Sequence, residues 1–254
     1  GGGINGGYIK NYKFLDGYGS VSDLTNVENF NWSFINATRT SQAIYSQSKG
    51  WCIGTDFGAN NVGVYDSYFD GCYFGVVTDQ SLTNGSSSKV KISRNSFKNI
   101  WQAALYFPSA AGKFTKEINI SDNFITNWGM SGNGSQGIVL KDVQNFIIDK
   151  NVFGSTTQAT YAILMGSSTL AGPDYGQIRN NDFSQATYPI LNVASGNNIE
   201  INNNLGYTTN NSVGFWGFGT TTNVSGLGSN VRAIFQGSGN GYTAIGSWGG
   251  DSNY

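Results

Sequence analysis

KVKISRNSF (89–97), EINISDNFI (117–125), NFIIDKNVF (145–153), YGQIRNNDF (175–183) and NNIEINNNL (197–205) are five versions of one phrase. Apolar residues alternate for several positions, and then an asparagine is followed within two residues by another apolar side chain. The asparagines are Asn95, Asn123, Asn151, Asn181 and Asn204, spaced by 28, 28, 30 and 23 residues. Two looser copies precede them, NVENFNWSF (26–34) and NVGVYDSYF (61–69), and place Trp32 and Ser67 at the asparagine position. A second short apolar run follows each copy: QAIYS (42–46), FGVVT (74–78), AALYF (103–107), GIVLK (137–141), YAILM (161–165) and PILNV (189–193). Every unit therefore reads as strand, asparagine turn, strand and a Gly/Ser-rich connection. Alternation over four to six residues is a strand signal, and no segment sustains a 3.6-residue period between helix caps.

One short strand pair cannot bury its own apolar face, but coils stacked on one another can. About seven coils at the ~4.8 Å strand spacing give a core roughly 34 Å long. Parallel stacking sets equivalent residues above one another, so the repeated asparagine is expected as an internal ladder whose amides bond their neighbours at a sharp turn. On these residues the chain resembles the right-handed parallel β-helix, or pectin-lyase-like, superfamily over about residues 14–206. Phage tailspike and appendage proteins and archaeal or bacterial surface proteins share that fold. The resemblance implies an all-β, single-stranded right-handed parallel β-helix. Residues 1–25 read as an N-terminal arm or first coil, 26–205 as the β-helix, and 206–254, with 12 Gly, as a small antiparallel β tail or assembly segment.

Composition narrows the function. The 254 residues carry 14 basic and 15 acidic side chains, and charged residues make up 11%, against about 25% in ordinary soluble domains. A nucleic-acid binder needs a basic stripe to neutralise phosphates, and none is present. No stretch approaches the roughly 20 apolar residues of a membrane span. Aromatic residues reach 14%, too much buryable surface for a disordered chain. There are 31 asparagines and no histidine, which removes the commonest general base and the commonest zinc or copper ligand. No metal site and no cofactor is expected. The start, GGGINGGYIK, shows no initiator Met and no leader pattern, so a processed chain or an excised piece is expected. Cys52 and Cys72 either close a loop of about twenty residues, a bond contributing roughly 3 kcal/mol in an oxidising compartment, or stay as buried thiols. Sequons begin at Asn31, Asn36, Asn84, Asn119, Asn133, Asn210 and Asn223. Together these features point to an extracellular, cell-surface or virion-surface setting.

Aligning the coils on the key asparagine places Asp66, Arg94, Asp122, Lys150, Asn180 and Asn203 in one column just before it. The alternating signs read as a surface ion-pair ladder, each pair worth at most about 1 kcal/mol, with Asp149 and Arg179 forming another; a catalytic carboxylate flanked by cations is the competing reading. Counting four places beyond Phe69, Phe97 and Phe124 lands on Tyr73, Trp101 and Trp128, either a platform for sugar rings or an internal stack. Trp51, Tyr106 and Tyr175, taken as lying in connecting segments, are independent candidates for glycan contact.

The resemblance also implies chemistries to look for. Pectate-lyase relatives hold Ca²⁺ on clustered Asp/Glu and use Arg or Lys as base, and polygalacturonase relatives use three aspartates, two adjacent, with a His. This chain has no Asp-Asp pair and no His. Tailspike glycosidases use two isolated carboxylates, which sit roughly 5–9.5 Å apart; candidates here are Asp56, Asp79, Glu117, Asp122, Asp142 and Asp174. An unprotected solenoid end is a row of unpaired backbone groups, so self-association into a filament or homotrimer is expected. The expectation that follows is a structural or adhesive surface subunit contacting cell-surface polysaccharide, with a depolymerase and a glycan-binding module as alternatives.

Overall fold

The structure, a computed structural model, describes residues 4–16, 20–40, 50–56, 58–79, 87–108, 114–130, 136–157, 161–166, 173–192 and 199–205, and the strands of the C-terminal segment. It is a three-sided parallel β-solenoid with no helix among these residues. The first sheet stacks Ile4–Lys10, Val27–Ser33, Asn60–Tyr65, Ser88–Ser93, Thr115–Ser121, Val143–Asp149, Asp174–Arg179, Ile199–Asn202 and Thr222–Ser225 in that order. The second stacks Lys13–Leu15, Asn36–Thr38, Tyr68–Asp70, Ser96–Ile100, Phe124–Trp128 and Val152–Phe153. The third runs from Ser22–Thr25 through Trp51–Asp56, Phe74–Asp79, Ala103–Phe107, Gln136–Leu140, Tyr161–Met165 and Tyr188–Asn192 to three strands of the C-terminal segment.

The expected seven coils become nine levels in the first sheet, six in the second and ten in the third. The counts differ because the N-terminal residues form a coil of their own, Ile4–Lys10 pairing parallel with Val27–Ser33, while the C-terminal segment adds strands to two sheets only. That segment is less antiparallel than its composition suggests. Thr222–Ser225 and Ser212–Phe218 both continue the parallel stack, and antiparallel pairing is confined to Val231–Gly237 against Tyr242–Trp248. The run QAIYS lies outside the described residues.

Alternation sends apolar columns from each sheet inward. Val64, Ile92, Ile120, Ile148, Ile178 and Ile201 stand in register in the first sheet, and Ile53, Val76, Leu105, Ile138, Ile163 and Ile190 in the third. The second contributes Phe69 over Phe97, ring centroids 5.1 Å apart, and Phe153 over Phe183 at 4.8 Å. All are buried, and each such side chain stabilises the fold by roughly 1.5–3 kcal/mol through lost water contact. Sizes alternate along a column where they must: the ring of Phe146 occupies the space a side chain on Gly176 would need.

The first-to-second corner carries the asparagines. Asn123 Oδ1 accepts from both the backbone N–H and the Nδ2 of Asn95, each at 3.0 Å, and Asn123 Nδ2 donates to Ile92 O and to Asn151 Oδ1, each at 2.9 Å. The same pattern links Asn151 to Asn181 and Asn181 to Asn204. Each of these side chains is at most 2% exposed, so the ladder answers the obligation of buried polar groups to be paired. Ser67 ends it, its hydroxyl accepting from Ile35 N–H and donating to Tyr65 O. Trp32 is not at the ladder position. It pairs with Val64 and belongs to the core, while Ile35 sits opposite Ser67. The looser copy has no asparagine at the ladder position: Phe34, at φ 54°, holds the left-handed turn position of Asp66 and Arg94, so the ladder position is Ile35, three residues beyond Trp32.

Candidate functional site

The residues singled out as sugar contacts divide between core and surface. Trp128 is fully buried, its Nε1 donating to Tyr161 O at 3.1 Å and its ring set edge-on to Phe153; it cannot meet a sugar. The column of three aromatics is broken because Ile125, not Phe124, is the partner of Phe97, so Trp128 stands beside Ile100 and not beside Trp101. A one-residue offset moves a strand side chain to the opposite face. Phe124, from which the count to Trp128 starts, is 45% exposed. Trp101 is half-buried at the level of Tyr73, its backbone N–H donating to Cys72 O.

Trp51 and Tyr106 are strand residues rather than connecting ones, and the fold brings them to the outer face of the third sheet with Tyr73. All three pack on a small apolar floor of Phe74, Val77, Ala103 and Val139, separate from the solenoid core. The register explains the gathering. Trp51 pairs with Phe74 and Phe74 with Ala103, while Val77 pairs with Tyr106 and Tyr106 with Val139. Phe74 stacks on Tyr106 at 4.7 Å and receives the edge of Tyr73 at 5.0 Å. Lys141 stands at the rim, its Nζ 3.4 Å from the Tyr106 hydroxyl and 5.4 Å from the ring centroid. Farther along the same face Tyr161 and Tyr188 lie 5.3 Å apart. Burial pushes the Tyr73 and Tyr161 hydroxyls up from their ordinary values, so both remain protonated donors at neutral pH. Rings with a polar tip over an apolar floor suit a pyranose, whose C–H face packs on the ring while its hydroxyls reach the edges.

The carboxylates do not share one site. Asp56 and Asp79 are register partners at the ends of neighbouring third-sheet strands, and Asp174 opens a first-sheet strand. Glu117 is exposed in the first sheet at φ 55°. Asp142 is different: it is 4% exposed at the turn after the third sheet, next to Lys141, and burial pushes its carboxyl up from the usual range. Asp122 lines an open trough of about 670 Å³ at the first-to-second corner with Asp66, Arg94, Tyr68, Phe34 and Phe124. There Arg94 Nε and Nη2 grip Asp66 at 2.7 and 3.0 Å, and this hydrogen bonding holds the Asp66 carboxyl below its ordinary value. A carboxylate so held does not serve as a general acid. The second pair, Arg179 and Asp149, is looser at 3.6 Å.

Cys52 and Cys72 form a disulfide that ties the third-sheet strand of one coil to the corner of the next. Of the sequon asparagines, Asn31 and Asn36 are exposed, Asn119 is half-buried and Asn223 lies in a first-sheet strand; Asn84, Asn133 and Asn210 lie outside the described residues. A feature that sequence reading passed over is a second column of left-handed residues on the first sheet: Asn29, Asn61, Lys89, Glu117, Asn145 and Tyr175, with φ between 50° and 55°. Each lies six residues before a ladder position, a regularity present in the sequence but hidden by the mixture of residue types.

No protein-family model matches the chain, and no curated protein does. Solved structures match. The surface adhesin PfbA of Streptococcus pneumoniae is 16% identical, with a TM-score of 0.53, over 96% of this chain and 65% of that one. The A-module of the mannuronan C-5 epimerase AlgE4 of Azotobacter vinelandii is also 16% identical, with a TM-score of 0.53, over 87% of this chain and 58% of that one. The fold they share with this chain is the parallel β-helix. This β-helix spans less than two thirds of either relative's length, and identity at this level carries the fold alone.

Proposed function

We propose that this β-helix is an extracellular surface protein that holds polysaccharide on the outer face of its third sheet without cleaving it. The observation that carries the reading is the gathering of Trp51, Tyr73 and Tyr106 over one apolar floor with Lys141 at its rim. The disulfide and the sparse charge support an oxidising, extracellular setting. Self-association by strand addition along the solenoid axis belongs to the same proposal.

The test is affinity electrophoresis on a panel of polysaccharides, with Tyr73→Ala and Tyr106→Ala compared with the unaltered protein. Retardation that the two substitutions abolish, with melting temperature kept, supports the reading; retardation they leave intact overturns it. Electron microscopy with light scattering reports whether fibres or discrete particles form. A second reading, cleavage, draws on Asp142, the one described carboxyl whose burial favours the protonated form an acid catalyst needs. Release of reducing ends that Asp142→Asn removes would establish it.

A further inference from the structure

The first sheet carries an exposed aromatic ring in a column of otherwise polar residues. In the exposed left-handed column, Asn29 Nδ2 donates to Asn5 Oδ1 at 3.0 Å and Asn61 Nδ2 to Asn29 Oδ1 at 2.6 Å, so asparagine suits both the backbone and its neighbours there. Asparagine tolerates the left-handed region because its short side chain bonds locally, whereas a bulky aromatic pays a steric cost. Tyr175 nevertheless occupies this conformation at φ 53° and is 57% exposed. Strain of this kind is concentrated at binding sites.

The surroundings of Tyr175 complete a site. Its ring walls a concavity of about 410 Å³ floored by Ile147, with Asn145 one coil back and Gln177 and Glu200 on the other side. Gln177 Nε2 donates to Glu200 Oε2 at 3.1 Å, fixing an amide and a carboxylate side by side on adjacent coils. We infer that this concavity binds an uncharged hexose unit of a polysaccharide, the ring stacking on its C–H face and Asn145, Gln177 and Glu200 bonding its hydroxyls. Glu200, with Glu117 one coil beyond Asn145, makes the site repel uronates. The inference rests on the glycan reading above and adds a second site on a different sheet.

The experiment titrates the full chain by calorimetry with maltohexaose and cellohexaose as neutral probes and trigalacturonate as the acidic one. One neutral probe is expected to bind and trigalacturonate not to. Tyr175→Asn should weaken neutral binding about tenfold with a melting temperature equal to or above that of the unaltered protein, while Tyr175→Phe, which keeps the ring, should retain it. Glu200→Gln should admit trigalacturonate. Absence of binding by both neutral probes, or full affinity in Tyr175→Asn, overturns the inference. Tyr106→Ala separates the two sites. Binding lost there but kept in Tyr175→Asn leaves the third-sheet reading standing alone; the reverse result leaves only this site.

Discussion

Two columns of turn residues run along the first sheet, six residues apart in every coil, and they obey different rules. At the sheet's end the column is Ser67 and then Asn95, Asn123, Asn151, Asn181 and Asn204, all buried. At its start the column is Asn29, Asn61, Lys89, Glu117, Asn145 and Tyr175, each in the same left-handed conformation. From Asn95 onward the buried column carries one residue type because each amide serves its own coil and its neighbour. The outer column needs only a backbone angle, since water can satisfy its side chains. What repeats without variation in this molecule is therefore structural, and what departs from the repeat where the fold permits it points to function.

The hardest test of that contrast is Asn123→Leu. It removes the side-chain partner of Asn95 N–H and of Ile92 O, while Asn151 Oδ1 keeps the backbone N–H of residue 123, and each of the two orphaned buried groups costs roughly 1–3 kcal/mol. Urea denaturation should show a loss of about 2–6 kcal/mol, or no cooperative transition. Asn145→Ala in the outer column should cost under about 1 kcal/mol, a left-handed angle without a buried partner being all that is lost. Equal losses would break the comparison.

Trp128→Ala comes next, at roughly 3–5 kcal/mol for a fully buried indole, against less than about 1 kcal/mol for the half-buried Trp101→Ala. The two tryptophans also show how much was legible in the sequence. The period, the strand pairs and the asparagine ladder could be read because hydrogen-bond obligation fixes residue type at fixed spacing. Register within a coil could not be read so well. Phe124 and Ile125 are both apolar, and nothing local says which faces in; three-dimensional pairing with Phe97 decides it. The same ambiguity put Trp32 where Ile35 belongs. The surface site was legible only in part: Trp51, Tyr73 and Tyr106 follow one another at separations of 22 and 33 residues, and only the stacking of three coils brings them together.

At the corner between the second and third sheets a covalent bond joins neighbouring coils, where the asparagine corner uses amides. Reducing the Cys52–Cys72 bond, which closes a separation of 20 residues, should lower stability by about 3 kcal/mol, chiefly by freeing the unfolded chain. The midpoint in urea with and without reductant measures it. A loss confined to the coils around Trp51, seen by hydrogen exchange, would show that the two corners stabilise locally and independently.

The smallest effects concern two carboxyls whose shifts have opposite signs. The Arg94 hydrogen bonds hold the Asp66 carboxyl low, so its stabilisation is complete above the unfolded carboxylate value near ~3.9 and disappears as pH falls through the lower folded value. With Arg94 57% exposed, solvent screening keeps this to at most a few tenths of a kcal/mol. Burial pushes Asp142 up, so the folded state holds its proton over a range where the unfolded chain has released it. Stability therefore falls as pH rises from the unfolded value through the folded one, and above that a constant penalty for the buried charge persists. Asp142→Asn, which also suits the φ of 40° there, should raise stability at pH 7 and remove that decline, while Asp66→Asn should slightly lower stability at pH 7 and remove the acid-side loss. Urea midpoints from pH 3 to pH 8 on both variants separate the two. A drop at pH 7 in Asp142→Asn would mean that the ionised carboxylate is bonded within the fold, and would withdraw the one acid on which the cleavage reading depends.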